Sequence, residues 1–307
     1  MSARLTRCSN TKKPTCLRSE MGDSDAVTPP ERAPVDSAGP NPGRNLPLAI
    51  AVGLGLAAIV LISLWIAKWL LIVVAVAVLF LAIHELTAAF RHVGISISRI
   101  PLYLGTVCIA VGAYLWGIDA QLIVFGAMVV FTLLWRIRKG TDGFVKDVTA
   151  SVFVAAYLPF MVGFLMLTLA YPNGAARAIV FIALTVSSDI GGYTAGVLFG
   201  KHPMAPQISP KKSWEGFAGS VTLQVGVGIW LFIWLLQGSW WQGALAGAIM
   251  TVTATSGDFA ESALKRDLGV KDMSHLLPGH GGVMDRLDSL VPNAFVSWAL
   301  FRIFFGP

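Results

Sequence analysis

The chain has 307 residues, of which 55% are hydrophobic and only 13% charged, with a net charge of +6. Soluble domains carry roughly 25% charged residues, so this composition excludes a soluble globular protein and indicates a membrane protein. Cys8, Cys16 and Cys108 are too few and too scattered for a disulfide scaffold or a Cys-based zinc site.

Residues 1–47 form a segment of their own. Pro29, Pro30, Pro34, Pro40, Pro42 and Pro47 lie among Ser, Gly and charged residues. The segment lacks the apolar core of a signal peptide, and its composition predicts a disordered tail. The remainder, residues 48–307, reads as one membrane-embedded domain.

A bilayer-crossing helix needs about 20 mainly apolar residues, and backbone hydrogen bonding in lipid favours helices over open strands. Nine runs qualify, at about 48–66, 69–90, 100–117, 120–135, 148–171, 177–199, 216–236, 240–262 and 289–305. The expected fold is therefore an all-α polytopic transmembrane helix bundle. Charge asymmetry orients it. With a cytoplasmic N-terminus, 20 of the 23 Lys and Arg residues fall on cytoplasmic segments, and only Lys68, Arg177 and Arg302 fall outside. That obeys the positive-inside rule. The positive charge thus belongs to a cytoplasmic face suited to anionic lipid headgroups and nucleotides, and it is not read as a nucleic-acid surface.

Three places put polar chemistry where a bundle should be bland. The first is residues 187–202, SSDIGGYTAGVLFGKH. Asp189 lies inside the sixth run, where a charge costs about 2.5–3.5 kcal/mol even on a lenient scale. Small residues around it explain close helix packing but not the acid. The second is residues 207–220, QISPKKSWEGFAGS, read as a loop. There Ser209-Pro210 opens a turn, Lys211 and Lys212 point cations at the interface, and Trp214 suits headgroup depth. Taken alone, the lysine pair is an ordinary positive-inside loop.

The third place closes the chain's chemistry. Asp258, Glu261, Ser262 and Lys265 follow i, i+3, i+4, i+7 spacing and so share one helix face. His280-Gly281-Gly282 offers backbone N–H groups that can cradle a phosphate. Asp285, Arg286 and Asp288 follow, and Arg266 and Arg286 supply bidentate phosphate donors. His275, Asp267, Lys271 and Asp272 read more simply as solvated loop residues.

Carboxylates, lysines, arginines and a glycine loop, with no G-x-S-x-G elbow, HExxH or Walker A sequence, fit phosphoryl or nucleotidyl transfer better than hydrolysis. A phosphate monoester ionises with a second pKa near 6, so as a nucleophile it needs no strong general base. It needs relief from repulsion, which a divalent cation and cationic side chains provide.

The run Ser262-x-x-Lys265-Arg266, Lys271-Asp272, Pro278-Gly279-His280-Gly281-Gly282 and Asp285-Arg286-x-Asp288 resembles the signature of phosphatidate cytidylyltransferases. Ser209-Pro210-Lys211-Lys212-Ser213-Trp214-Glu215-Gly216 is similar to a second hallmark of that family, with Ser213 where Thr is common. Asp189 to Gly200 resembles a third. The likeness covers roughly residues 48–307.

The resemblance implies transfer of a cytidylyl group from CTP to phosphatidate in phospholipid synthesis, with Mg²⁺ and a second cation. It also implies a homodimeric, multi-pass enzyme of the inner (plasma) membrane whose site faces the cytoplasm. Carried over, Asp258 and Asp285 bind metal and Asp189 is a third acidic candidate. Lys211, Lys212, Lys265, Arg266 and Arg286 neutralise phosphates, Ser209 and His280 contact substrate, and Ser262, Gly281 and Gly282 join the substrate-binding set. Two rivals use similar parts: a membrane enzyme using CTP on another lipid phosphate, or on a polyprenol. A more remote rival is an ion-coupled transporter with Asp189 at a broken helix, but the chain lacks paired inverted halves.

Overall fold

The computed structural model describes residues 46–271, 273–274 and 282–306. The predicted tail lies outside them, save its last two positions, which already belong to the first helix. Among the described residues the structure is all-α apart from one short hairpin: α1 (Leu46–Ile66), α2 (Lys68–His92), α3 (Arg99–Ile137), α4 (Phe144–Ala155), α5 (Met161–Ala170), α6 (Gly174–Phe199), β1 (Pro203–Ala205), β2 (Ser209–Ser213), α7 (Trp214–Trp234), α8 (Trp240–Asp267), α9 (Met284–Leu287) and α10 (Leu290–Phe305). Helix covers each of the nine apolar runs. Among the described residues, five segments are long and apolar enough to cross a membrane: 68–92, 99–137, 144–170, 174–199 and 214–234.

Local chemistry explains the breaks. Ala67 takes extended backbone angles, which separates α1 from α2 by one residue. The runs at 100–117 and 120–135 join as one kinked helix, α3. Gly117 at φ 80° interrupts it, a conformation that disfavours any side chain with a Cβ. The run at 148–171 divides into α4 and α5 around a π-helical turn at Ala156–Phe160 that contains Pro159. Proline lacks an N–H and crowds the preceding turn, and a widened turn absorbs both effects. Ser213 caps α7 by accepting from the Gly216 N–H at 3.1 Å. Ser239 and Gln242 form a reciprocal capping box on α8.

Two packing regimes build the bundle. Around α4 and α5 the core is conventional, with Val154, Leu158, Met166 and Leu169 fully or almost fully buried. Across α6, α7 and α8, backbones meet directly. A Cβ on Gly191 would stand 2.6 Å from the Gly219 carbonyl oxygen, and one on Gly243 would stand 2.3 Å from that of Gly228. In lipid, where apolar side chains gain little from leaving the solvent, close backbone contact of this kind drives helix association. It fixes α6, α7 and α8 as one unit, and that unit carries Asp189, Asp258, Glu261, Ser262, Lys265 and Arg266.

One expectation is corrected here. Residues 207–220 were expected to form a loop with a turn opening at Ser209-Pro210. Instead β2 begins at Ser209 and pairs antiparallel with β1, Ala205 opposite Ser209 and Pro203 opposite Ser213. The turn precedes it, and α7 starts at Trp214. A two-stranded ribbon leaves edges on both sides, so Pro210 costs no ladder hydrogen bond.

Candidate active site

Asp189 sits on the C-terminal half of α6, Lys211 and Lys212 on β2, and Asp258 on α8. All four line one cavity of about 260 Å³. Its floor is made of small or polar residues, including Ser188, Gly192 and Ser220, and the Ser220 hydroxyl donates to the Ser188 carbonyl at 2.7 Å. The Lys212 ammonium reaches from the hairpin to the Asp258 carboxylate. Arg266 fastens the hairpin turn to α8, its Nε donating to the Ile208 carbonyl at 2.6 Å. One nitrogen of this expected phosphate ligand therefore serves the scaffold.

One turn along α8 lies a second group. Lys265 Nζ sits 2.9 Å from Glu261 Oε2 and 2.9 Å from Asp285 Oδ1, so one cation bridges two carboxylates. The Gly282 N–H, expected to face a phosphate, instead donates to Asp285 Oδ2 at 2.8 Å. Burial pushes the Asp285 carboxyl up, but hydrogen bonds from Lys265, the Glu261 carboxyl and the Gly282 N–H outweigh it and hold the group below its ordinary range. Asp288 shows the opposite balance. Burial, with the neighbouring charges of Asp258, Glu261 and Asp189, pushes it up to about 9.

The two groups adjoin through Asp258 and Glu261 on the same face of α8. Gly257 explains how Asp285 and Asp288 come so near: a Cβ there would stand 2.2 Å from the Asp288 carbonyl oxygen, so only glycine admits that backbone. Lys212 and Arg286 both lie within electrostatic reach of Asp189. Ser262 is half-buried on α8 and Ser209 half-buried at the start of β2. His280, Gly281, Asp272 and His275 lie outside the described residues. Among the described residues, no three His, Cys, Asp or Glu side chains meet as a preformed metal cage.

Sequence reasoning missed one residue that shapes the site. Glu85 on α2 is 1% exposed. Its carboxylate accepts from the backbone N–H groups of Val283 at 2.9 Å and Met284 at 2.8 Å, and from the Ser274 hydroxyl. It thus clasps both ends of the segment that carries the His-Gly-Gly run and satisfies the first N–H groups of α9, as a capping carboxylate does. Gly282 must be small for this clasp, because a Cβ would stand 2.9 Å from Glu85 Oε2 and 2.9 Å from Asp285 Oδ2. The available signal was an acid within the apolar run at 69–90, where an ionisable residue is a functional candidate by default.

Comparison with known proteins decides the family. The cytidylyltransferase family model matches residues 48–304, which holds every one of these side chains. The chain belongs to the cytidylyltransferase family. It is 41% identical over 281 residues to a phosphatidate cytidylyltransferase of Mycobacterium leprae (strain TN), covering 86% of this chain and 90% of that protein. It is 39% identical over 324 aligned positions to a phosphatidate cytidylyltransferase of Mycobacterium tuberculosis (strain ATCC 25618 / H37Rv), covering 96% of this chain and 98% of that one. A third relative of the same name, from Helicobacter pylori (strain ATCC 700392 / 26695), is 34% identical over 207 residues, 66% of this chain and 73% of that protein.

Proposed function

We propose that this protein transfers the cytidylyl group of CTP to phosphatidate, forming CDP-diacylglycerol and diphosphate. The observation that carries the reading is the family match over residues 48–304, which spans a site where two lysine–carboxylate pairs gather at one end of a helix bundle.

In the reaction, a phosphate oxygen of phosphatidate attacks the α-phosphorus of CTP, and the bond from that phosphorus to the bridging oxygen breaks as diphosphate leaves. The obstacle is repulsion between two polyanions. Lys211, an exposed residue of the cavity lining, offers its charge to incoming phosphate. Lys212 and Lys265 hold their charge beside Asp258 and Asp285 until phosphate oxygens arrive, then share it with them. Arg286 and Arg266 add planar donors that fit phosphate edges. Ser209, Ser262 and, outside the described residues, His280 and Gly281 complete the substrate contacts, while the Gly282 N–H backs them by holding Asp285.

Carboxylate oxygens suit Mg²⁺, which binds through one or two carboxylates plus substrate phosphates and retains water. Asp258 and Asp285 are carboxylates of that kind, each beside a lysine. Asp258 and Asp285, with Asp189 as a third acid, are the residues that would hold Mg²⁺ and a second cation. Bound there, the metal would screen the phosphates and the leaving diphosphate.

The proposed topology is nine spans in the plasma membrane with a cytoplasmic N-terminus and a site open to the cytoplasm, supported by the charge asymmetry of the loops. A homodimer is proposed from the family resemblance. The test is direct: purified protein with labelled CTP, phosphatidate and Mg²⁺ should release diphosphate and a CDP-lipid, and EDTA should stop it. Turnover that survives EDTA would contradict the metal assignment, and a panel of lipid phosphates including a polyprenol phosphate would expose a different acceptor.

A further inference from the structure

The three cations that fall outside the cytoplasmic set are not scattered. Lys68 Nζ donates to the carbonyl oxygens of Tyr171 at 2.7 Å and Pro172 at 2.9 Å. The Arg177 guanidinium lies 4.2 Å from the Tyr171 ring centroid and is also flanked by Phe301 and Phe305. It is 5% exposed, and its Nε and Nη1 have no hydrogen-bond partner. Arg302 lies over the Trp298 ring at 5.6 Å. Arg302, Trp298 and Tyr171 line a second cavity, of about 220 Å³, whose remaining wall is largely apolar and includes Leu167 and Ala170.

This cavity stands at the other end of the bundle from the transfer site. On α10, which begins two residues after Asp288, Arg302 lies twelve residues beyond Leu290, a rise of about 18 Å. Exposed Trp65, Trp69, Trp116, Trp234 and Trp240 occupy helix ends or breaks on that same side. Tryptophan gathers where hydrocarbon gives way to water, so the cavity mouth lies at headgroup depth. Arg302 is exposed and forms no ion pair among the described residues. Asp119, the acid next to the cavity wall at Ile118, is exposed and likewise pairs with nothing described there. The region therefore presents three positive charges around an aromatic and apolar hollow, and one acid.

We propose that the cavity between Tyr171 and Trp298 binds an anionic phospholipid of the leaflet opposite the transfer site, its phosphate at Arg302 and the start of its apolar part against Leu167 and Ala170. An apolar floor with a cationic rim at the interface matches an amphiphile whose phosphate stays near water. Arg177, stacked behind Tyr171, holds that ring as a wall and adds positive potential. A free phosphate would use the rim but gain nothing from the hollow.

The test uses the full-length protein, delipidated in detergent and re-equilibrated with phosphatidylglycerol, phosphatidylcholine or soluble glycerol 3-phosphate, with retained ligand read by native mass spectrometry. Phosphatidylglycerol carries no phosphomonoester, so it cannot serve as acceptor in the transfer reaction. The wild type should retain phosphatidylglycerol over phosphatidylcholine by on the order of five- to tenfold, the factor expected of one cation facing a net-anionic headgroup rather than one whose choline cancels the phosphate charge. Arg302→Gln should remove that preference while cytidylyl transfer stays within about twofold of wild type. Ala170→Trp, which fills the hollow and keeps the cation, should lower phosphatidylglycerol retention by a similar factor. Equal retention of the two lipids by the wild type, a preference unchanged in Arg302→Gln, or displacement of phosphatidylglycerol by glycerol 3-phosphate at equal concentration would overturn the proposal, the last by assigning the rim to soluble anions.

Discussion

Replacing Glu85 with alanine should loosen the segment between residues 274 and 283 without unfolding the bundle. The wild-type carboxylate accepts two backbone N–H groups, from Val283 and Met284, and the Ser274 hydroxyl. Each buried donor left without an acceptor costs about 1–3 kcal/mol, so losing two backbone bonds costs about 2–6 kcal/mol, most of it local because the segment can rearrange toward water. At 2 kcal/mol the opening equilibrium shifts about 30-fold. Glutamine fills the same volume but offers one acceptor oxygen, with an amide NH₂ facing the other donor, so Glu85→Gln should fall between wild type and alanine. Hydrogen exchange at the 283 and 284 amides should quicken in the order Glu, Gln, Ala, and turnover on CTP and phosphatidate should fall in the same order. An alanine variant with wild-type amide protection and wild-type kcat would refute the clasp.

Gly282→Ala should lower kcat at least tenfold with little change in Tm, because its Cβ meets two carboxylate oxygens at 2.9 Å; steady-state kinetics beside a thermal melt separates the two effects. Asp285→Asn should abolish turnover while leaving expression and folding nearly intact, since it takes one of two carboxylates from Lys265, and a wild-type rate would remove Asp285 from the site. Gly191→Val should destabilise the protein by roughly 1–3 kcal/mol or more, as its side chain would press on the Gly219 backbone; denaturation in detergent reads it. Arg136→Met should cost about 3–5 kcal/mol by stranding buried Asp147, whereas Arg136→Met with Asp147→Leu should recover much of the loss in the same assay.

Much of the fold was legible because lipid imposes a simple rule, that long apolar runs become helices, and every run from 48–66 to 289–305 did. Gly117 marked the boundary between the third and fourth runs, yet apolar spacing alone cannot reveal that the two continue as one kinked helix. The hairpin at Pro203–Ser213 escaped because its strands are too short for alternation to register and carry a proline. The stripe Asp258, Glu261 and Lys265 was readable from helical spacing, and the cavity joins Asp258 to Asp189, Lys211 and Lys212. Lys265 turned out to spend its charge on Glu261 and Asp285, a pairing set by a backbone contact at Gly257 that no local pattern announces. Glu85 stood out as an acid in an apolar run, but its role was hidden for a related reason: its partners lie almost two hundred positions away, and only tertiary packing joins them.

The two lysine–carboxylate pairs have a consequence for how the site fills. At rest Asp258 is answered by Lys212, while Asp285 shares Lys265 with Glu261, so in the proposed reaction a lone metal ion would have to evict a lysine, and a lone nucleotide would have to draw a lysine away from its acid. Arriving together, the two would remove each other's obstacle, the nucleotide drawing on the lysines and the proposed ion on the vacated acids. Loading should consequently be synergistic, with each ligand gripping far more tightly in the other's company, and the resting enzyme should ignore stray polyvalent ions of either sign.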